Sequence, residues 1–232
     1  MTSAGVADTP TNLPVRPTGR LVAWVILVLA LASLSYAGRY LLDGEDVEDP
    51  LYRWSTAVGA LIQYGFMLIL IAAIAHGLDR RLLGLRMPAR RRRAAGLALA
   101  AFAAIIVVSA ILSQFLDAGD EQGLVPKSWD SSRAAPFIAN ALVVALVAPF
   151  VEELLYRGLG YGLLTQFVTA IPAILITGLA FGLGHGLVLG LPVLAFFGFT
   201  LAWLRWQTGS VYPGMVVHGI FNALALVLVV LK

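Results

Sequence analysis

The chain has 232 residues, of which 59% are hydrophobic and only 12% are charged, and its mean hydropathy is +0.87. A soluble globular domain is about 45–50% apolar and about 25% charged, so this composition excludes an ordinary water-soluble domain. The net charge is +3, and the absence of cysteine excludes disulfides and thiolate catalysis. Any catalysis must therefore come from carboxylates, histidines, hydroxyls or amides.

The elements in chain order begin with a polar segment, residues 1–20, whose Thr, Pro, Ser and Gly content predicts a disordered tail. A helix needs about 20 apolar residues to cross a hydrocarbon core of about 30 Å. The rest of the chain predicts an all-α bundle of about seven membrane-spanning helices, a single transmembrane domain over residues 21–232. The predicted spans are residues 21–42, 55–78, 94–116, 136–156, 171–187, 191–206 and 212–231. The fifth and sixth are short, so we expect them to be tilted, broken or partly re-entrant.

The connections between these spans differ in charge. Residues 79–93, here called the arginine loop, contain Arg80, Arg81, Arg86 and the arginines at 90–93, whereas acidic residues follow the first and third spans. The positive-inside rule therefore predicts a cytoplasmic arginine loop and N-terminus, with both acidic connections outside. The arginines are expected to contact the lipid bilayer, and nucleic acid is not an expected partner. The Ala-, Leu-, Val-, Gly- and Arg-rich composition indicates a bacterial plasma membrane protein.

Two adjacent glutamates occur where the fourth predicted span ends. Glu153 and Arg157 are four residues apart, so they can form an ion pair on one face of a helix. Glu152 points about 100° away from Glu153 and is left to face a cavity. The alternative interpretation is an interfacial cluster of charges that only ends the helix.

Three further polar residues lie in the apolar spans that follow. His185 falls in the fifth span, and His218 and Asn222 share one face of the last span. Each alone is equally typical of a packing contact between helices. Because lipid offers no hydrogen-bond partner, we expect them to converge with Glu152 on one cavity. Such a cluster can deprotonate a water and stabilise an oxyanion, or Glu152, His185 and His218 could hold a zinc ion.

Three ordered motifs carry a resemblance to a known family. They are Glu152-Glu153-x-x-x-Arg157, Phe181-x-x-x-His185 and His218-x-x-x-Asn222. On these motifs the chain resembles the CPBP group of intramembrane proteases, which comprises the type II CAAX prenyl endopeptidases and their bacterial relatives. The resemblance implies a protease-like core over residues 136–231.

The resemblance also implies an activity and a role for each motif residue. The activity is hydrolysis of a peptide bond in a membrane-anchored protein or peptide. Glu152 and His185 would activate the water, and His218 and Asn222 would stabilise the oxyanion. The supporting residues would be Glu153, Arg157 and Phe181. A metal-free, glutamate-based mechanism is favoured over a zinc-dependent one because the chain lacks a His-Glu-x-x-His motif.

Two other functions compete with the protease. One is a catalytically silent membrane protein of the same fold, acting as an immunity factor or a scaffold. The other is an ion- or proton-coupled transporter whose buried Glu and His groups relay protons. The ordered motifs favour the protease, and the absence of inverted-repeat symmetry disfavours the transporter. The resemblance links eukaryotic members to prenylated CAAX proteins and bacterial relatives to bacteriocin maturation or self-immunity.

Overall fold

The computed structural model describes residues 17–41, 49–116, 121 and 129–230, and every regular element among them is helical. This confirms the predicted all-α fold class. The predicted disordered tail falls largely on residues 1–16, which lie outside the described residues. The seven helices are α1 Thr18–Tyr40, α2 Trp54–Ala75, α3 Arg91–Leu112, α4 Ser131–Leu164, α5 Ala170–Leu183, α6 Leu191–Thr208 and α7 Tyr212–Val230.

The outer surface of the bundle is apolar, as lipid contact requires. Helices α1 to α4 are long and apolar enough to cross a membrane by length and composition, while α5 and α7 are shorter apolar helices. Large aliphatic side chains point outward, with Ile26 61% exposed and Ile62 69% exposed. In water such a surface would promote aggregation, whereas in a bilayer it is the surface that contacts the lipid chains. The chain is an integral membrane protein.

Helix α4 continues without a break beyond Glu152 and Glu153. The predicted end at residue 156 is too early, because the helix continues to Leu164. The interpretation of the glutamates as a helix-ending cluster at the membrane surface is therefore wrong. Glu152 stands twelve residues before Leu164, about 18 Å along the helix at 1.5 Å per residue. This length places the glutamates within the bundle.

Two π-helical segments, Val143–Val147 and Leu154–Gly160, lie on either side of the glutamates in α4. A π-helical turn interrupts the regular i to i−4 hydrogen bonds and is frequent at functional sites. A side chain from another helix donates to a carbonyl in each segment. The Asn222 amide donates to the Val144 carbonyl at 2.9 Å, and the Trp24 indole donates to the Leu155 carbonyl at 3.0 Å.

Helices α5 and α6 form a tight antiparallel pair. A Cβ added at Gly198 would lie only 2.6 Å from the carbonyl oxygen of Gly178, so the two backbones touch where both residues lack a side chain. Helix α5 has only 14 residues. His185 therefore lies in the turn after α5, residues 184–190, and not inside a helical span as predicted.

The α5–α6 turn is held by side chains from other parts of the chain. Ser35 donates to the Gly184 carbonyl at 2.8 Å, and Tyr36 donates to the Leu187 carbonyl at 3.0 Å. The carboxylate of Glu121 accepts from the backbone N–H groups of Val188 and Gly190, at 2.6 and 2.8 Å. The turn thus meets the last part of α1 and the α3–α4 connection at one end of the bundle, here called the acidic end.

The opposite end, here called the arginine end, carries the arginine loop and the α6–α7 turn. The loop packs against α4, since a Cβ added at Gly162 would lie 2.6 Å from the Leu82 carbonyl oxygen. Arg205 at the end of α6 donates to the same carbonyl at 2.9 Å. The Val211 N–H donates to the Gly84 carbonyl at 3.1 Å. The arginine loop is therefore packed against the ends of α4 and α6 and the start of α7.

Candidate functional site

A cavity of about 400 Å³ lies among helices α2 to α7. Its wall is largely apolar. All four predicted catalytic residues contribute to this wall, although they come from α4, the α5–α6 turn and α7. The polar residues that line it are Tyr64, Ser109, Ser113, Glu152, His185, His218 and Asn222.

The carboxylate of Glu152 is held on one side and points into the cavity on the other. Its side chain is 12% exposed. The Tyr64 hydroxyl donates to Oε1 at 2.8 Å. The second oxygen, Oε2, lies 3.8 Å from Nε2 of His218. One oxygen is therefore fixed in place, and the other faces the imidazole of His218.

Glu153 lies on a different face of α4 and is fully buried. It forms the ion pair with Arg157 that the spacing predicts, with 2.9 Å between Oε1 and Nη1 and both side chains inaccessible. The same oxygen lies 3.3 Å from Nδ1 of His218. The first turn of α7 comes close as well, because a Cβ added at Gly214 would meet the carboxylate at 2.6 Å. Glu153 thus bridges Arg157 and His218, a contact that the spacing did not predict.

The imidazole of His218 stands between the two glutamates, with Nε2 directed to Glu152 and Nδ1 to Glu153. Its ring packs edge-on against Phe197 and Phe181, with centroids 4.9 and 5.6 Å apart. An imidazole donates through both nitrogens only when it carries two protons. This geometry gives His218 a fixed orientation and a donor that can reach the cavity.

His185 and Phe181 belong to one motif and act on each other. Nδ1 of His185 lies 2.8 Å from the Phe181 carbonyl oxygen. A carbonyl only accepts hydrogen bonds, so Nδ1 carries the proton and Nε2 of the neutral ring is left as an acceptor. The Phe181 ring packs against the His185 ring at 4.7 Å and lies 4.5 Å below the Arg157 guanidinium. Phe181 thereby connects the buried ion pair to the histidine.

Asn222 lines the cavity one turn beyond His218, and part of its amide is already engaged. One N–H donates to the Val144 carbonyl in the first π-helical segment of α4. A side-chain amide has two N–H groups, so this bond occupies only one of them. Asn222 therefore combines a structural contact with a donor that a ligand can use.

Tyr64 in α2 is the site residue that sequence reasoning missed. It lies far from the motifs in the chain, yet its hydroxyl touches Glu152. The sequence did contain a signal for Tyr64, because a phenolic hydroxyl inside an apolar membrane span needs a hydrogen-bond partner. The identity of that partner depends on how α2 packs against α4, which spacing within one helix does not reveal.

The donors do not assemble into a metal site in this structure. Zinc requires three or four ligand atoms at about 2.0–2.3 Å. No group of three or more His, Asp or Glu side chains among the described residues could hold a metal ion. Oε1 of Glu152 is engaged by Tyr64, Nδ1 of His185 by a carbonyl, and both nitrogens of His218 face carboxylates.

Comparison with known proteins relates part of the chain to a protein family. Residues 134–224 match the model of a protein family described as type II CAAX prenyl endopeptidase Rce1-like. The matched segment contains all three motifs, and it ends before the close of α7. The chain matches no curated protein and no solved structure significantly.

Proposed function

We propose that this chain is an intramembrane endopeptidase, because residues 134–224 match the model of the Rce1-like type II CAAX prenyl endopeptidases. It hydrolyses a peptide bond in a membrane-associated protein or peptide. One observation carries this proposal beyond the family match. A carboxylate, two imidazoles and an amide from separate parts of the chain surround a single cavity inside a membrane bundle.

In the proposed reaction Glu152 is the general base. It takes a proton from a water whose oxygen attacks the carbonyl carbon of the peptide bond, and it later returns that proton to the leaving amine. Nε2 of His185 accepts a second hydrogen bond from the same water. The contact of Tyr64 with Oε1 supports this role, because it leaves Oε2 to face the reacting atoms. A positioned general base typically contributes about 10²–10⁴-fold in rate.

His218 and Asn222 are proposed to stabilise the tetrahedral oxyanion. A preorganised donor aimed at the developing charge is worth about 10²–10³-fold in turnover. The contact of Glu153 with Nδ1 of His218 supports this role, since it fixes the ring, and the ion pair with Arg157 fixes Glu153 in turn. Glu153 and Arg157 are therefore positioning residues and do not touch the substrate.

The proposed substrate is an apolar peptide segment in a bacterial plasma membrane. The largely apolar cavity wall supports this choice, because a charged side chain within it would lose its hydration without gaining a partner. We do not extend the prenyl group in the family's name to this substrate, since the composition of the chain indicates a bacterial protein.

The test is cleavage of a membrane-anchored peptide library by purified protein, with products identified by mass spectrometry. Glu152→Gln keeps the shape of the side chain and removes the base, so we expect cleavage to be lost while the protein still inserts and folds. Asp79→Asn makes the same chemical change in the exposed arginine loop and should leave cleavage unchanged. Parallel reactions with a chelator distinguish a metal-free reaction from a metal-dependent one. Full activity of Glu152→Gln would make the mechanism wrong, and the scaffold function would then be favoured.

A further inference from the structure

The cavity extends from Glu152 toward only one end of the bundle. Its lining includes Leu51 just before α2, Ser113 just after α3, Leu187 and Gly190 in the α5–α6 turn, and Leu226 late in α7. These residues all lie toward the acidic end. None of its lining residues belongs to the arginine loop or to the α6–α7 turn.

On the other side of Glu152 the bundle is solid. Leu155, Leu159 and Leu163, which follow in α4, are each 0% exposed, as are Glu153 and Arg157. The arginine loop packs directly beneath them, with the Leu82 carbonyl against Gly162. A peptide approaching from the arginine end would have to displace this core. Among the described residues, the cavity therefore reaches from Glu152 toward the acidic end and not toward the arginine end.

The two ends differ strongly in charge. The arginine end holds the cationic arginine loop, while Asp43, Glu45, Asp46, Glu48 and Asp49 belong to the opposite connection. Basic connections stay in the cytoplasm when a helical membrane protein is inserted. From this distribution and the position of the cavity, we infer that the site receives its substrate from the extracytoplasmic side. The inference rests on the proposed function for its peptide substrate, but its direction follows from the cavity and the charges.

The substrate is accordingly an uncharged, apolar segment of a peptide outside the cytoplasm or within the outer half of the bilayer. Among the described residues, no lysine or arginine lines the cavity to pair with a substrate carboxylate. Oε1 of Glu152 is already engaged by Tyr64, and Oε2 is the oxygen proposed to act on the water. A charged residue inserted there would lose its hydration without a countercharge that is free to pair with it.

The absence of cysteine permits a direct test of the side on which the cavity opens. Ser113→Cys puts a thiol in the cavity wall, and Met87→Cys puts one in the arginine loop, where Met87 is 65% exposed. Both variants are treated with a membrane-impermeant thiol reagent in sealed right-side-out and inside-out vesicles. We expect Ser113→Cys to react only in right-side-out vesicles and Met87→Cys only in inside-out vesicles. The reverse pattern would overturn the inference.

A second arm measures the reaction itself. A soluble fluorogenic apolar peptide is added to the same two vesicle preparations of the cysteine-free protein and then to each after detergent. We expect cleavage in right-side-out vesicles and in detergent, and its loss in sealed inside-out vesicles. Cleavage confined to inside-out vesicles would overturn the inference while the proposed function stands. Failure to cleave even in detergent would instead count against the proposed function, and the thiol pattern alone would then decide the side.

Discussion

At the scale of single residues, the hydroxyl of Tyr64 holds the carboxylate on which the proposed chemistry depends. Tyr64→Phe keeps the ring and removes this hydrogen bond. Hydrogen bonds to charged groups contribute about 1.5–3 kcal/mol, which corresponds to about a 10- to 100-fold lower kcat. We expect KM to change little, because the hydroxyl is occupied by Glu152 and not by the peptide.

The measurement is kcat and KM of the purified variant in detergent. Tyr161→Phe is the matched control, because Tyr161 is buried in α4 beyond the ion pair and does not line the cavity. If Tyr64→Phe raised KM and left kcat intact, Tyr64 would be a substrate contact and not a positioning residue.

The buried ion pair gives a second expectation for single residues. Glu153→Gln leaves Arg157 charged and unpaired among residues that water does not reach. Removing one partner of a buried pair typically destabilises a protein by about 3–5 kcal/mol. We therefore expect a clearly lower midpoint of thermal unfolding in detergent. Adding Arg157→Met should recover part of that loss, since no uncompensated charge then remains.

The opposite division of labour between the glutamates is also testable. A Glu153→Gln variant that is as stable as the wild type but inactive, together with an active Glu152→Gln, would reverse the two roles.

The residue types and spacings predicted the Glu153–Arg157 pair correctly because both residues lie on one helix. They did not predict the Glu153–His218 or Tyr64–Glu152 contacts, since these join helices that are distant in the sequence.

At the scale of elements, the irregular turns of α4 depend on donors from neighbouring helices. Trp24→Phe removes the N–H that satisfies the Leu155 carbonyl in the segment Leu154–Gly160. An unsatisfied buried carbonyl costs about 1–3 kcal/mol. We expect a lower unfolding temperature but unchanged kcat well below that temperature, because Trp24 does not line the cavity.

Thermal unfolding and turnover should be measured side by side for this variant. Trp206→Phe is the control, since Trp206 is 44% exposed on α6 and faces outward. If Trp24→Phe lost turnover at unchanged stability, the conformation of the π-helical segment would directly determine the positions of Glu152 and Glu153.

Hydropathy predicted the presence of the helices better than their ends. The fourth span seemed to stop at the Glu-Glu-x-x-x-Arg motif because charged residues usually mark a membrane boundary. Here Glu153 and Arg157 neutralise each other inside the bundle, so the helix runs on to Leu164. The position of Glu152 within the bundle follows from this difference, whereas His185 lies after α5 because that helix already ends at Leu183.

At the scale of the whole molecule, the site is not confined to the segment that carries the motifs. Tyr64 of α2 and Ser109 of α3 complete the cavity wall, although they precede the predicted protease-like core over residues 136–231. The all-helical membrane fold was predictable because an apolar chain in lipid must satisfy its backbone internally. The contribution of α2 and α3 to the site was not, because it depends on packing between helices that share no motif.

The short helix α5 has a consequence for the surrounding bilayer. Its 14 residues span about 21 Å, against a hydrocarbon core of about 30 Å. We therefore expect the turn after it, which is held by Ser35, Tyr36 and Glu121, to lie below the level of the lipid headgroups. Lipids adapt to such a mismatch by local thinning, which would bring a hydrated depression close to His185.

Hydrolysis consumes water, and this depression would supply it. Proteoliposomes made from lipids of graded acyl-chain length should then cleave faster as the bilayer becomes thinner, until the long helices α1 to α4 are themselves mismatched. A rate independent of chain length would mean that water reaches the site through the protein alone. In the thinned bilayer, the lipid next to α5 would become part of the path by which water reaches the proposed site.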